Sequence, residues 1–347
     1  MGMTPPLYLS RPALRVPPTI LSNDDVKARV AACFTGDEAQ WPLVELGMEL
    51  IFGASQSANR HKELDPDARH AERAAAVAWD CLDTHGLAPE DLDLVLYAGI
   101  GRDYLEPATA MEVAARLGVE RVQGMDVLSA CAGQLMAVLT ACALMRADEG
   151  IRAGLVCSAE LMKEHVVYRL NGVDELAKHG AGLTLGDASA AWLVTRTPPR
   201  GGGLRVLGVQ SRSLPQHWAL STTPLHGRFT AHSSEMLRVL SGEESLLSGL
   251  LGRLGWPLDS VKQVLMHQPG EAMHRRVAEL AGLGPEQAIN VHGQYGNTGS
   301  VSVATAAWEY LKRSPPNDGD RLVLIALGAG MTGVVIAGEW VSGAERL

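Results

Sequence analysis

The chain has 347 residues, enough for two domains of ordinary size or one two-lobed unit with a substantial core. Hydrophobic residues make up 46% of it and charged residues 20%, a balance that excludes a disordered chain. Thirty Lys and Arg against thirty-nine Asp and Glu leave a net charge of −9, so the basic footprint needed to hold nucleic acid is missing.

In chain order, Met1–Pro6 carries neither the basic nor the apolar segment of a secretory leader. Cysteines stand at 33, 81, 131, 142 and 157, with no C-x-x-C pair. This predicts reduced thiols in a cytoplasmic protein without metal, with Cys33, Cys81, Cys142 and Cys157 as small buried hydrophobes. The first forty residues are broken by prolines, with one short helix predicted over Asp24–Cys33 after Ser22. Ala68–His85 is amphipathic and stops at Gly86; Asp91–Tyr97 alternates as a strand.

A repeat begins there. Asp93–Gly101 (DLVLYAGIG) resembles Lys262–Gly270 (KQVLMHQPG). Each copy runs into a helix (Ala110–Leu117; Ala272–Leu283), then a short strand (Gln123–Val127; Ala288–Val291). Next comes a long, nearly uncharged helix (Ala132–Arg146; Thr298–Arg313), then an apolar strand (Gly154–Ser158; Leu322–Leu327). Strands alternating with helices predict an α/β fold of two β-α-β-α-β halves with mostly parallel sheets, the uncharged helices lying between them. Ala132–Met145 is too short to span a bilayer and reads as core, so no membrane partner is expected. The N-terminal half takes residues 1–196, with strand material in Gly180–Val194. Residues 197–347 hold a connector, a cap-like stretch helical over Ser234–Leu254, and the C-terminal half.

The repeat sets three polar residues at matching edges: Cys131 and Asn297 open the two uncharged helices, and His267 ends a strand. Ligands bind at the carboxyl ends of parallel strands. A thiol at a helix N-terminus faces free N–H groups and the positive end of the dipole, which predicts a thiolate nucleophile at Cys131. The small residues of Ser129–Gly133 permit a sharp turn there. His61, His70, His217, His226 and His232 show no metal spacing and read as surface residues. Gly328–Gly333 matches G-x-G-x-x-G, but a strand and not a helix follows, so it is no dinucleotide loop.

These segments together resemble the thiolase superfamily, in its ketoacyl-(acyl carrier protein) synthase III branch with the related chalcone and stilbene synthase-like condensing enzymes. Asp126–Gly133 resembles the nucleophile motif, Gly186–Ala190 the G-D-G-A-G/A segment, and His267-Gln268 the start of H-Q-A-N. Tyr295–Ser300 resembles Y-G-N-T-S-A, and Gly328–Thr332 the C-terminal G-G-G-x-T. The resemblance implies a thiolase-like, five-layer α-β-α-β-α fold and an acyltransferase. Cys131 would take an acyl group from a coenzyme A or acyl-carrier-protein thioester, these being substrates and no cofactor being needed. The N–H groups of Cys131 and Gly330 would form the oxyanion hole, and His267 and Asn297 would polarise the second substrate. A homodimer is implied, with Gly154–Glu160 as a candidate edge strand at its interface.

The pattern lapses in four places. Gly270, after Pro269, replaces the asparagine that meets the pantetheine arm, and Ala272 the basic residue for carrier-protein docking. The coenzyme A adenine clamp survives only as Phe52–Arg60, and the first strand is degenerate in Leu7–Val16. These departures favour a specialised polyketide or fatty-acid-derived role over housekeeping initiation. The expected reaction is decarboxylative Claisen condensation. The alternatives are acyl transfer to a hydroxyl or amine, with His267 as base, and a non-catalytic partner subunit. Gly101–Ala110 and Leu214–Leu240 are the expected tunnel segments.

Overall fold

The computed structural model describes residues 5–241 and 245–343. The N-terminal half contributes strands β1 (Tyr8–Ser10), β2 (Ala13–Arg15) and β3 (Ile20–Ser22), helices α1 (Asn23–Cys33) and α2 (Trp41–Ser55), then β4 (Asn59–His61) and α3 (His70–His85). The first β-α-β-α-β unit follows as β5 (Leu94–Tyr97), α4 (Thr109–Leu117), β6 (Gln123–Asp126), α5 (Gly133–Ala147) and β7 (Ala153–Glu160). Then come α6 (Val173–His179), β8 (Ala188–Thr195) and the long β9 (Gly203–Ser213). A cap follows with β10 (Ser221–Thr222), β11 (Thr230–Ala231), α7 (Ser233–Ser241) and α8 (Leu246–Leu254). The second unit is β12 (Val261–Met266), α9 (Glu271–Leu280), the short α10 (His292–Tyr295), α11 (Ser302–Arg313), β13 (Arg321–Gly328) and β14 (Thr332–Val341).

Local chemistry explains the boundaries. Ser22 caps α1 in a reciprocal box with Asp25. Gly86, at φ +66°, ends α3, and Gly118, at φ +79°, ends α4. The segment Ser234–Leu254 divides into two helices, α7 and α8.

The two halves join into one sheet in the order β12-β13-β14-β9-β1-β8-β7-β5-β6, with β2 also on β8. Short β1 bridges them by pairing with both β8 and β9. Helices α5 and α11 lie inside, where Leu135, Val138 and Cys142 share one core with Val303, Ala307 and Leu324. The stretch Ala130–Ala147 is long and apolar enough to cross a membrane by length and composition, and here it is that core helix.

Three expectations are corrected. The sheet is not mostly parallel: among the strand pairs of the described residues, β5–β6, β5–β7 and β12–β13 run parallel and the others antiparallel. The turn Ala329–Met331 between β13 and β14 is too short for a crossover, which forces that pair antiparallel. Ala288–Val291 is not a strand, because the Gln268 carboxamide takes its backbone groups, donating to Ile289 O (3.1 Å) and accepting from Val291 N (2.9 Å). Only the bridge Val264–Ala288 remains. And β7 is no edge strand: it is buried throughout and paired on both sides, and the sheet ends at β6 on this side and at β12 on the other.

Cys81, Cys142 and Cys157 are buried as expected, whereas Cys33 is exposed at the end of α1. His226 and His232 are exposed, and His61 and His217 are half-buried. His70 is buried, its Nδ1 3.0 Å from Asp103 Oδ1, because α3 starts against the loop that carries this aspartate.

Candidate active site

Cys131 sits in a tight 3-10 turn, Ala130–Ala132, between the end of β6 and the start of α5. Ala130 has φ +46°, a left-handed conformation uncommon outside glycine. The turn is pressed from two sides. A Cβ on Gly133 would lie 2.4 Å from Ala98 O, and one on Gly328 would lie 2.8 Å from both Ser129 O and Ala132 N. Glycine at these two positions is therefore what lets the ends of β5 and β13 close on the cysteine turn.

The helix N-terminus does not prevail over its surroundings. Cys131 is half-buried, and burial together with the charge of Glu160 pushes its thiol up to about 12. The resting group is thus a neutral thiol, which corrects the thiolate expectation.

His267 follows β12 and Asn297 follows α10. His267 Nε2 lies 3.2 Å from Asn297 Oδ1, so the structure does bring this pair together. The same Oδ1 accepts the Gly299 N–H at 3.1 Å. A backbone N–H can only donate, so that atom is the amide oxygen, and His267 must carry its hydrogen on Nε2. Burial pushes His267 down to about 4, which keeps the ring neutral at pH 7. At rest the imidazole N–H is donated to Asn297 Oδ1, so the carboxamide NH2 is the pair's open donor, and the imidazole N–H becomes a second one only when it leaves Oδ1.

The N-terminal half fixes Asn297. Its N–H donates to Thr184 O and its carbonyl accepts from Gly186 N, each at 3.0 Å. Next to this, buried Asp187 accepts from Lys62 Nζ (2.6 Å), Met162 N (3.0 Å) and Glu63 N (2.9 Å). The Gly186–Ala190 motif is therefore the clamp that carries the asparagine of the other half. The turn Gly299–Val301 just after Asn297, and the turn Ala329–Met331, both pack on the Cys131 turn. Gly330 lies in the latter turn at φ +76°, with open space where a Cβ would be.

Sequence reasoning missed Glu160. It is fully buried at the end of β7, where burial pushes its carboxyl up. It accepts from Ile100 N (3.0 Å), Ser300 N (3.3 Å) and Ser300 Oγ (2.5 Å), tying three loops together around the cysteine. The signal was a lone acid closing an otherwise apolar strand.

A cavity of about 460 Å3 opens beside the site, lined by Ile51, Ser55, Leu237, Pro269 and Gly270 among others. Gly270 (φ +147°) lies against Ser55, where a Cβ would come within 3.1 Å. Arg60, in the segment that resembles the adenine clamp, is buried, and its guanidinium donates to Leu21 O, Asn23 Oδ1 and Ser57 Oγ. Another cavity, about 490 Å3 beside His85, Arg152 and Arg200, lies at the opposite end of β7, away from these groups.

The chain matches the family described as 3-oxoacyl-[acyl-carrier-protein (ACP)] synthase III over residues 125–215. It matches the C-terminal part of that family over 251–340. It is 26% identical over 333 residues to a beta-ketoacyl-[acyl-carrier-protein] synthase III of Chelativorans sp., covering 94% of this chain and 96% of the relative. It is 25% identical over 275 residues to an acyl-CoA:acyl-CoA alkyltransferase of Xanthomonas campestris pv. campestris, covering 77% and 81%. Among solved structures, a cysteine-to-serine variant of Xanthomonas campestris OleA with bound lauric acid and lauroyl-CoA superposes with a TM-score of 0.87. It is 20% identical and covers 97% of this chain and all of that one.

Proposed function

Because the chain belongs to the ketoacyl synthase III-like branch of the thiolase superfamily and is an acyl-transferring enzyme, we propose that Cys131, His267 and Asn297 are its catalytic set and carbon–carbon bond formation its reaction. The Cys131 S–H attacks an acyl thioester of coenzyme A or a carrier protein. The acyl group moves to Sγ, and the leaving thiolate takes up the proton and departs as a free thiol. The N–H groups of Cys131 and Gly330 hold the oxyanion. With a malonyl second substrate, carbon dioxide leaves and the electron pair of the broken C–C bond becomes an enolate, held by the Asn297 NH2 and by the His267 N–H, which passes from Asn297 Oδ1 to the enolate oxygen. The enolate carbon attacks the acyl carbon and the Cys131 thiolate is released, to be reprotonated.

The observation that carries this reading is the hydrogen-bond pattern at Asn297 Oδ1, which makes His267 a neutral N–H donor. An enolate oxygen needs donors. Transfer to a hydroxyl needs a base, and Nε2 in this state has no lone pair to offer. The 460 Å3 cavity by Pro269 and Gly270 admits the donor's pantetheine arm. A homodimer would form along the free edge of β6, beside exposed Leu105, Met111 and Leu128. Free cysteines suit a cytoplasmic setting.

The test is to incubate the protein with acyl-CoA and acyl-carrier-protein donors, map adducts by peptide mass, and follow labelled carbon dioxide from a malonyl second substrate. An acyl adduct on the Cys131 peptide with carbon dioxide release supports the reading. Product formation at a hydroxyl or amine without carbon–carbon bond formation rejects it.

A further inference from the structure

Two histidines line one small cavity. It holds about 50 Å3 between α7, α9 and β13, and both His267 and His274 touch it. The other side chains of its lining are apolar, Met236, Leu240, Met273 and Leu327 among them. His267 belongs to the site described above, whereas His274 has no part in that chemistry so far. It is the buried residue of α9, a helix on which Met273 and Val277 are only half-buried. An amphipathic helix ordinarily gives that position to an aliphatic side chain.

Both rings have hydrogen-bonding capacity to spare. Burial lowers His267 and His274 from the usual imidazole range, so at pH 7 each ring is neutral, with one N–H and one lone pair. His267 carries its hydrogen on Nε2, bonded to Asn297 Oδ1, which leaves the lone pair on Nδ1. Among the described residues no donor reaches that atom. His274 Nε2 is buried and has no partner among the described residues. Unmatched ring nitrogens in the interior are destabilising, and an ordered water is the usual remedy. A water needs about 15 Å3 and at least two polar partners, and this cavity supplies both.

We propose that His274 is a positioning residue for His267: a water held in the cavity donates one hydrogen to His267 Nδ1 and is fixed there by a second hydrogen bond to the His274 ring. This rests on the donor role given above to His267. At rest Asn297 Oδ1 keeps the hydrogen on Nε2. When that N–H passes to the enolate oxygen, Oδ1 no longer selects the tautomer, and the donor at Nδ1 does. A ring with its hydrogen on Nδ1 would turn a lone pair toward the enolate and repel it. The water excludes that state, and His274 holds the water in walls that otherwise offer it no side-chain partner.

Two measurements test it. In the first, high-resolution crystal structures of the wild-type protein and of His274→Leu are compared. The expected result is a water within about 3.2 Å of both rings in the wild type, and none at His267 Nδ1 in the variant. A wild-type cavity without that water, or a water that stays at Nδ1 in the variant, overturns the proposal. In the second, acyl capture at Cys131 and carbon dioxide release from a malonyl second substrate are followed separately in His274→Leu and His274→Asn. Asparagine can still hold a water, and leucine cannot. Carbon dioxide release should fall about tenfold or more in His274→Leu and stay within about threefold of wild type in His274→Asn, with capture within about twofold in both. Unchanged release in His274→Leu, an equal fall of capture and release, or equal release in the two variants overturns the proposal. If the wild-type protein releases no carbon dioxide at all, the condensing reading fails, and the crystal structures still decide for or against the bridge because they need no turnover.

Discussion

Alkylation of Cys131 across pH measures the balance between helix dipole and burial at the nucleophile. The thiol is pushed up from its ordinary 9.0 to about 12. Three units lower the thiolate fraction at pH 7 by about a thousandfold. A more basic thiolate is also more nucleophilic, with a Brønsted slope of about 0.45, which returns about twentyfold. Cys131 should therefore react with iodoacetamide about fiftyfold more slowly at pH 7 than a small thiol of ordinary pKa. Its rate should climb about tenfold per pH unit from 6 to 10 without levelling. Peptide mass spectrometry with quenched time points reads the rate at Cys131 separately from exposed Cys33. A plateau below pH 8 would show a stable thiolate, and the burial argument would be wrong.

Other expectations concern the supports of the site. Gly328→Ala drives a methyl into Ser129 O and Ala132 N, both backbone atoms. It should cost about 1–3 kcal/mol in urea unfolding and slow acyl capture, since the cysteine turn must shift. Asp187→Asn leaves the buried Lys62 ammonium without its partner and should cost about 3–5 kcal/mol by the same assay. A cost below 1 kcal/mol would mean the clamp is not held by this charge pair. His292, fully buried, is pushed down to about 4 by burial, so the unfolded chain binds its proton first as pH falls. Its contribution is fully present above pH 6.5 and lost as pH drops toward 4, about 3 kcal/mol over that window. His292→Gln should lose less stability between pH 7 and 4.5 than the wild-type protein does.

Much of the architecture was legible because its signals are local. Helices with little charge away from their last turns, such as α5 and α11, announce burial, and the strand-helix alternation around β5–β7 and β12–β13 announces crossovers. Cys131, His267 and Asn297 stood out because the repeat set them at equivalent edges. What stayed hidden depends on partners distant in sequence. Antiparallel β8, β9 and β14 carry no pairing signal of their own, and nothing local says that β1 will stitch two sheets into one. Residues 288–291 have strand-like composition, yet one glutamine side chain takes their backbone groups. The thiol was misjudged for the same reason. The helix start is visible in sequence, whereas the buried carboxylate of Glu160, 29 residues on, is placed beside it only by the fold. His70 likewise looked like a surface residue until the fold set Asp103 against it.

The most direct trial of the account compares wild-type protein with His267→Ala and Asn297→Ala by rapid-quench intact mass, adding acyl donor first and the second substrate afterwards. If the thiol captures the acyl group and the C-terminal pair activates the acceptor, all three proteins should load Cys131, and only the wild type should clear the adduct promptly. Clearance at the wild-type rate in both variants, or loading on a residue other than Cys131, would contradict it.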